Sequence, residues 1–116
     1  MAIDELRGLS SAVFGHRYRL ELLAALAKTN SDSDEGICLT LLGNYCGVPS
    51  SVYYPSLKVL VSAGLARRMS RTHGDPRVLY ARTHVPVWTG LQRMVEDLEV
   101  EVSFPDVAHV RRNAER

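Results

Sequence analysis

The sequence predicts a mainly helical α+β fold with one two-stranded β-hairpin and a last helix that pairs two copies. Three observations carry this. Apolar residues recur at helical spacing over Ile3 to Val13, Arg17 to Lys28 and Trp88 to Val102. Two further short helical pieces flank the turn sequence GVPSS, and after Gly64 two short extended runs flank the turn cluster RTHGDP. The length of 116 residues suits one core, expected over residues 1–102, with 103–116 as a tail.

Each element has a local reason. Ile3, Leu6, Leu9 and Val13 form a helical stripe that Gly15 interrupts. Arg17 to Lys28 is apolar over most of its circumference, as in a central helix packed on several sides. Thr29 to Gly36 has no apolar member and reads as a surface loop, and Ile37 to Leu39 as one short strand. Thr40 is the expected N-cap of a helix over Leu41 to Cys46 that Gly47 ends, because glycine tolerates the left-handed backbone of a helix C-terminus. Pro49, Ser50 and Ser51 start the next helix, Leu57, Leu60 and Val61 mark its buried stripe, and Gly64 stops it. The result is a helix-turn-helix.

Pro55 fits that assignment. A proline costs about 3 kcal/mol inside a helix but little in the first turn, where the amide it removes lacks an intrahelical partner. Consecutive helical positions are about 100° apart, which sends Tyr53 inward and Tyr54 outward. The hairpin is expected from Leu65 to Ser70 and from Arg77 to Arg82, with Val78 and Tyr80 on one face. Trp88, Leu91, Val95, Leu98 and Val102 then form an apolar seam, expected as a dimer interface, which Pro105 ends.

Composition narrows the function. Hydrophobic content of 46% and charged content of 23% are those of an ordinary globular chain. No apolar run approaches a membrane span, and MAIDELRG is acidic where a signal peptide is basic, so a cytoplasmic protein with reduced Cys38 and Cys46 is expected. The net charge of +1 hides an uneven distribution: residues 1–57 carry −2, residues 58–82 carry +5, and residues 83–116 carry −2. A basic middle segment is the footprint of a polyanion-binding surface.

The segment GVPSSVYYPSLKVLVSAGLARR resembles the core of bacterial winged-helix regulators, and FGHRYRLELLAALA is similar to the preceding helix of ArsR-like repressors. YPSLKVLVSAGL with GDPRVLY resembles PadR-like regulators, in which a Tyr-Pro pair precedes Leu-x-x-Leu in the recognition helix. The resemblance covers roughly residues 12–82 and implies a winged helix-turn-helix that binds double-stranded DNA as a homodimer, most simply as a repressor. The chain departs from ArsR-like sensors in lacking paired thiolates, and from PadR-like regulators in its first helix and shorter C-terminal region.

A recognition helix presents its N-terminal residues to base edges and phosphates. Ser50, Ser51, Tyr54, Ser56 and Lys58 are the candidates here, and with neither Arg nor Asn among them, part of any specificity is expected from DNA shape. In the wing the candidates are Arg67, Arg68, Arg71, His73 and Arg77, with Arg71 and Arg77 foremost. Tyr53, Leu57, Leu60 and Cys46 read as core, and the acidic run Glu96, Asp97, Glu99 and Glu101 as a solvated helix face. The four histidines are scattered, no nucleophile or phosphate-binding motif stands out, and neither an enzyme nor a cofactor, metal or effector site is expected. The alternative function is a winged-helix module that binds a protein instead of DNA.

Overall fold

The computed structural model describes residues 2–29, 36–69 and 77–98. Helix α1, Ile3–Phe14, opens with the Ala2 amide donating to Glu5 Oε1 at 3.1 Å, and Asp4 and Glu5 lie where the helix dipole favours acidic groups. It ends at Gly15, whose φ of 69° lies in the left-handed region. The turn into α2, Arg19–Ala27, is stitched by Ser10: its hydroxyl donates to the His16 carbonyl at 2.5 Å and accepts the Leu20 amide at 3.0 Å. His16 Nδ1 accepts the Tyr18 amide at 3.3 Å, so this histidine supports a helix start. Every residue of α2 from Leu20 to Ala27 is buried, as the all-round apolar sequence requires.

Helix α3 spans Leu39–Cys46 and its N-cap residue is Cys38, two positions earlier than the expected Thr40 cap, which lies exposed in the first turn. Ile37 and Cys38 are held inward by the sheet and core, and that anchoring fixes the start in place of a hydroxyl cap. Gly47, at φ 77°, ends α3. A single 3-10 turn, Ser50–Tyr53, leads into α4, Tyr54–Ser62, where Pro55 lies within the first turn. Gly43 lets the two helices close up: a Cβ there would lie 2.5 Å from the Val48 carbonyl oxygen.

Strands β1, Ala66–Arg68, and β2, Tyr80–Arg82, pair antiparallel with Arg67 opposite Ala81. They are shorter than the expected runs. Ile37 bridges the other side of β2, exchanging hydrogen bonds of 2.8 and 2.9 Å with Tyr80. Helix α5, Val87–Asp97, returns across α2, ending five residues before the expected Val102. The main core joins α2, α3, α4 and α5, and a smaller cluster of Cys38, Met69, Leu79 and Ala81 lies at the sheet. Among the described residues no helix is long and apolar enough to cross a membrane.

Two expectations are corrected. Trp88 and Val95 are buried in the chain's own core, and Trp88 Nε1 donates to the Leu65 carbonyl at 2.8 Å, so neither side chain is available to a second copy. The apolar stripe of α5 is consumed by α2. Thr29, expected in a surface loop, is buried: its hydroxyl donates to the Leu26 carbonyl at 2.7 Å and accepts the Arg82 amide at 2.9 Å. Of the remaining seam residues, Leu91 and Leu98 are half-buried, and Val102 lies outside the described residues.

Candidate nucleic-acid interface

Helix α4 is held from behind by a buried polar network. Arg7 Nε donates to Glu21 Oε1 at 2.8 Å, and Arg7 Nη2 donates to Glu21 Oε2 at 3.2 Å and to the Cys46 carbonyl at 3.1 Å. The Tyr53 hydroxyl donates to Glu21 Oε2 at 2.5 Å, while its ring meets Tyr18 edge-on at 6.2 Å. The Arg7 guanidinium lies over the Tyr18 ring, 5.0 Å from its centroid. One carboxylate thus ties α1, the end of α3 and the entry to α4 to the central helix. Hydrogen bonding to Glu21 holds Arg7 above the ordinary guanidinium range despite burial. Burial, then the bond to Glu21, pushes the Tyr53 phenol well up. Burial also pushes the Cys46 thiol up to about 11.

With Tyr53 locked inward, Tyr54 turns outward and is half exposed, as the 100° step requires. Ser51 and Lys58 are exposed and Ser50 half-buried, so the structure keeps these expected positions on or near the surface. Ser56 is the exception: it is fully buried and its hydroxyl accepts from Arg19 Nε at 3.1 Å. It packs α4 on α2 and cannot meet a base edge. The expectation placed it on the polar face because of its hydroxyl, whereas Arg19 of α2 supplies a donor for that hydroxyl.

The sheet brings further residues to the same side. Arg68 and Tyr80 are cross-strand partners, and with Tyr54, Leu57, Lys58 and Val61 they line a shallow groove of about 340 Å³ between α4 and the sheet. A second hollow of about 420 Å³ adjoins it, lined by Leu39, Thr40, Arg77 and Val78 and by the same Tyr54 and Tyr80. Among the described residues neither hollow is lined by an acidic side chain, and the shared surface has an aromatic floor and a rim of Lys58, Arg68 and Arg77. Burial raises the Tyr80 phenol above its usual range.

Arg67 is half-buried on the opposite face of β1, and Arg71 and His73 lie outside the described residues. Tyr80 is the polar aromatic of this lining that sequence reasoning did not select as a site. The alternation that put it beside Val78 carried its orientation, but only the pairing with Arg68 puts it at the groove. Cys38 is buried, Cys46 half-buried, and both are free thiols. Among the described residues no three His, Cys, Asp or Glu side chains converge as a metal site would need. No protein-family model matches the chain, and no curated protein does.

Proposed function

We propose that this chain is a winged helix-turn-helix DNA-binding regulator, with α3 and α4 as the helix-turn-helix, β1 and β2 as the stem of the wing, and α4 as the recognition helix. The observation that supports it is the basic and aromatic face of Tyr54, Lys58, Arg68, Arg77 and Tyr80, which has no acidic side chain among the described lining residues. Cationic side chains at a rim contact phosphates, and tyrosines donate to phosphates or pack on sugar and thymine methyl groups. Arg71 and His73, in the sequence that joins the two strands, extend the same basic segment. The regulator acts as a homodimer on a roughly palindromic site, with recognition helices about 34 Å apart, and represses by occlusion. Since Trp88 and Val95 are internal, pairing falls to the outer side of α1, where Val13 is 62% exposed, and to Leu98 at the end of α5.

A second reading has an observation of its own. Val59 and Val61 are exposed on either side of Lys58, and apolar residues on an outward helix face suit a protein partner. Fluorescence anisotropy with random-sequence duplexes at two salt concentrations separates the two. The DNA reading expects a signal that collapses with salt, followed by enrichment of a palindrome on sequencing the retained fraction. No binding at low salt would overturn it in favour of the protein module.

A further inference from the structure

Residues 50–62, the 3-10 turn and α4 together, carry a single charged side chain, Lys58, and contain no Asn, Gln, Asp, Glu or Arg. Tyr54, Lys58 and Val61 stand at i, i+4 and i+7, so they form one row along the helix. All three are exposed and all three line the groove, with Tyr54 50% and Val61 41% accessible. Leu57, which is buried, and Tyr80 of β2 complete an apolar trough beside that row. The one cation of the row is bracketed by an aromatic ring and a branched aliphatic side chain.

That composition restricts how the face can tell one base pair from another. In the major groove guanine is read by a bidentate Arg or Lys, adenine by Asn or Gln, and cytosine by an acidic acceptor, whereas thymine presents a C5-methyl group to apolar contact. Helix α4 lacks the side chains that read adenine and cytosine. The hydroxyls of Ser51 and Tyr54 both donate and accept, so they suit either kind of edge and discriminate little. Lys58 is a point charge on a flexible stem, which suits a phosphate better than a fixed pair of base atoms, and its methylenes add to the apolar wall. The methyl group is the base feature that this row is built to meet.

We infer that the trough of Tyr54, Leu57, Val61 and Tyr80 is a subsite for the C5-methyl group of a pyrimidine, so that the chain selects duplexes by that methyl and not by the hydrogen-bonding pattern of the pair. The inference rests on the DNA reading above and adds the chemical group that is recognised. The Tyr54 ring and Val61 enclose the methyl while Lys58 and Arg68, at the rim, hold neighbouring phosphates. 5-Methylcytosine carries the same group at the same place in the major groove, so a methylated G·C pair satisfies the subsite as thymine does. Burying one methyl group changes affinity about fourfold.

The test is fluorescence anisotropy of the full chain at low salt with four versions of one random-sequence duplex pool: natural DNA, DNA with uracil for thymine, DNA with 5-methylcytosine for cytosine, and DNA with both replacements. The uracil pool is expected to bind about fourfold more weakly than natural DNA, or worse. Adding 5-methylcytosine to it restores binding, since the methyl has then moved from one pyrimidine to the other. Tyr54→Ala should erase the preference and Tyr54→Phe should keep it, because the ring and not the hydroxyl meets the methyl. Lys58→Ala should keep the preference while lowering the salt slope by about one. Each variant alters an exposed side chain, and an unchanged unfolding temperature certifies its fold. Equal binding to all four pools, with the signal still lost at high salt, would overturn the methyl subsite and leave the DNA reading standing. A loss with uracil that 5-methylcytosine fails to restore would overturn the subsite as well, by assigning the preference to the shape of A·T-rich DNA. A preference that survives Tyr54→Ala would do the same by moving the contact off α4. No binding to any pool at low salt would overturn the subsite and the DNA reading together.

Discussion

Glu21 is buried in the first turn of the central helix α2, and its cost is offset only because Arg7 and Tyr53 both bond to it. Removing one partner leaves the other charge buried and uncompensated. Glu21→Ala is therefore expected to destabilise the fold by about 3–5 kcal/mol, measured by denaturant unfolding, more than an apolar truncation of the same size suggests. The same neighbourhood sets an alkaline limit. Cys46, at about 11 against an ordinary 9.0, and Tyr53, also raised, both favour their neutral forms in the folded chain. Their contribution to stability is complete below about pH 9 and lost as pH rises through the folded values. Thermal unfolding temperature should fall steadily from about pH 9 upward, and the decline should weaken in Cys46→Ser. Sequence reading placed Tyr53 and Cys46 in the core but left Arg7 and Glu21 unremarked, because two charges fourteen residues apart announce nothing until a turn brings their helices together.

Among the elements, α5 and the α3 to α4 turn are decided by what they pack on. An amphipathic helix with a tryptophan and valines reads equally well as a core element and as a dimer seam; α2 resolves it by being apolar on every side and needing a cover. Trp88→Ala should accordingly cost about 3–5 kcal/mol of stability in unfolding measurements. The oligomeric state by sedimentation should not change while the protein remains folded. Gly43 defines the turn more tightly than the serines that follow it. Its Cβ would meet the Val48 carbonyl at 2.5 Å and the Ser50 amide nitrogen at 3.2 Å, both backbone atoms that cannot swing aside. Gly43→Ala is expected to destabilise by about 1–3 kcal/mol in unfolding measurements and to weaken any ligand of the α4 face through displacement of Tyr54.

For the molecule as a whole, the +5 segment at residues 58–82 is the main electrostatic asymmetry, and folding gathers part of it beside the α4 groove while turning Arg67 to the other face. If that face tracks a phosphate backbone, Lys58→Ala and Arg68→Ala should each reduce the slope of log affinity against log salt by about one and weaken all duplexes alike. Ser56→Ala should leave the slope unchanged, since Ser56 holds α4 to Arg19 and faces no ligand.

The sequence by itself determined the order and type of the elements, the turns at Gly15, Gly47 and Gly64, the tolerance of Pro55 and the opposite orientations of Tyr53 and Tyr54. Those follow from periodicity and local backbone chemistry, which act over a few residues. Tertiary structure alone decided which apolar face of α5 is covered, that Ser56 is a buried acceptor, that Thr29 serves the sheet, and that Tyr80 stands beside Arg68 at the groove. In each case the deciding partner is distant in the chain, from the 12 residues between Arg68 and Tyr80 to the 65 between Ala27 and Gln92. Local pattern fixes which way a side chain points; only packing determines what it meets there.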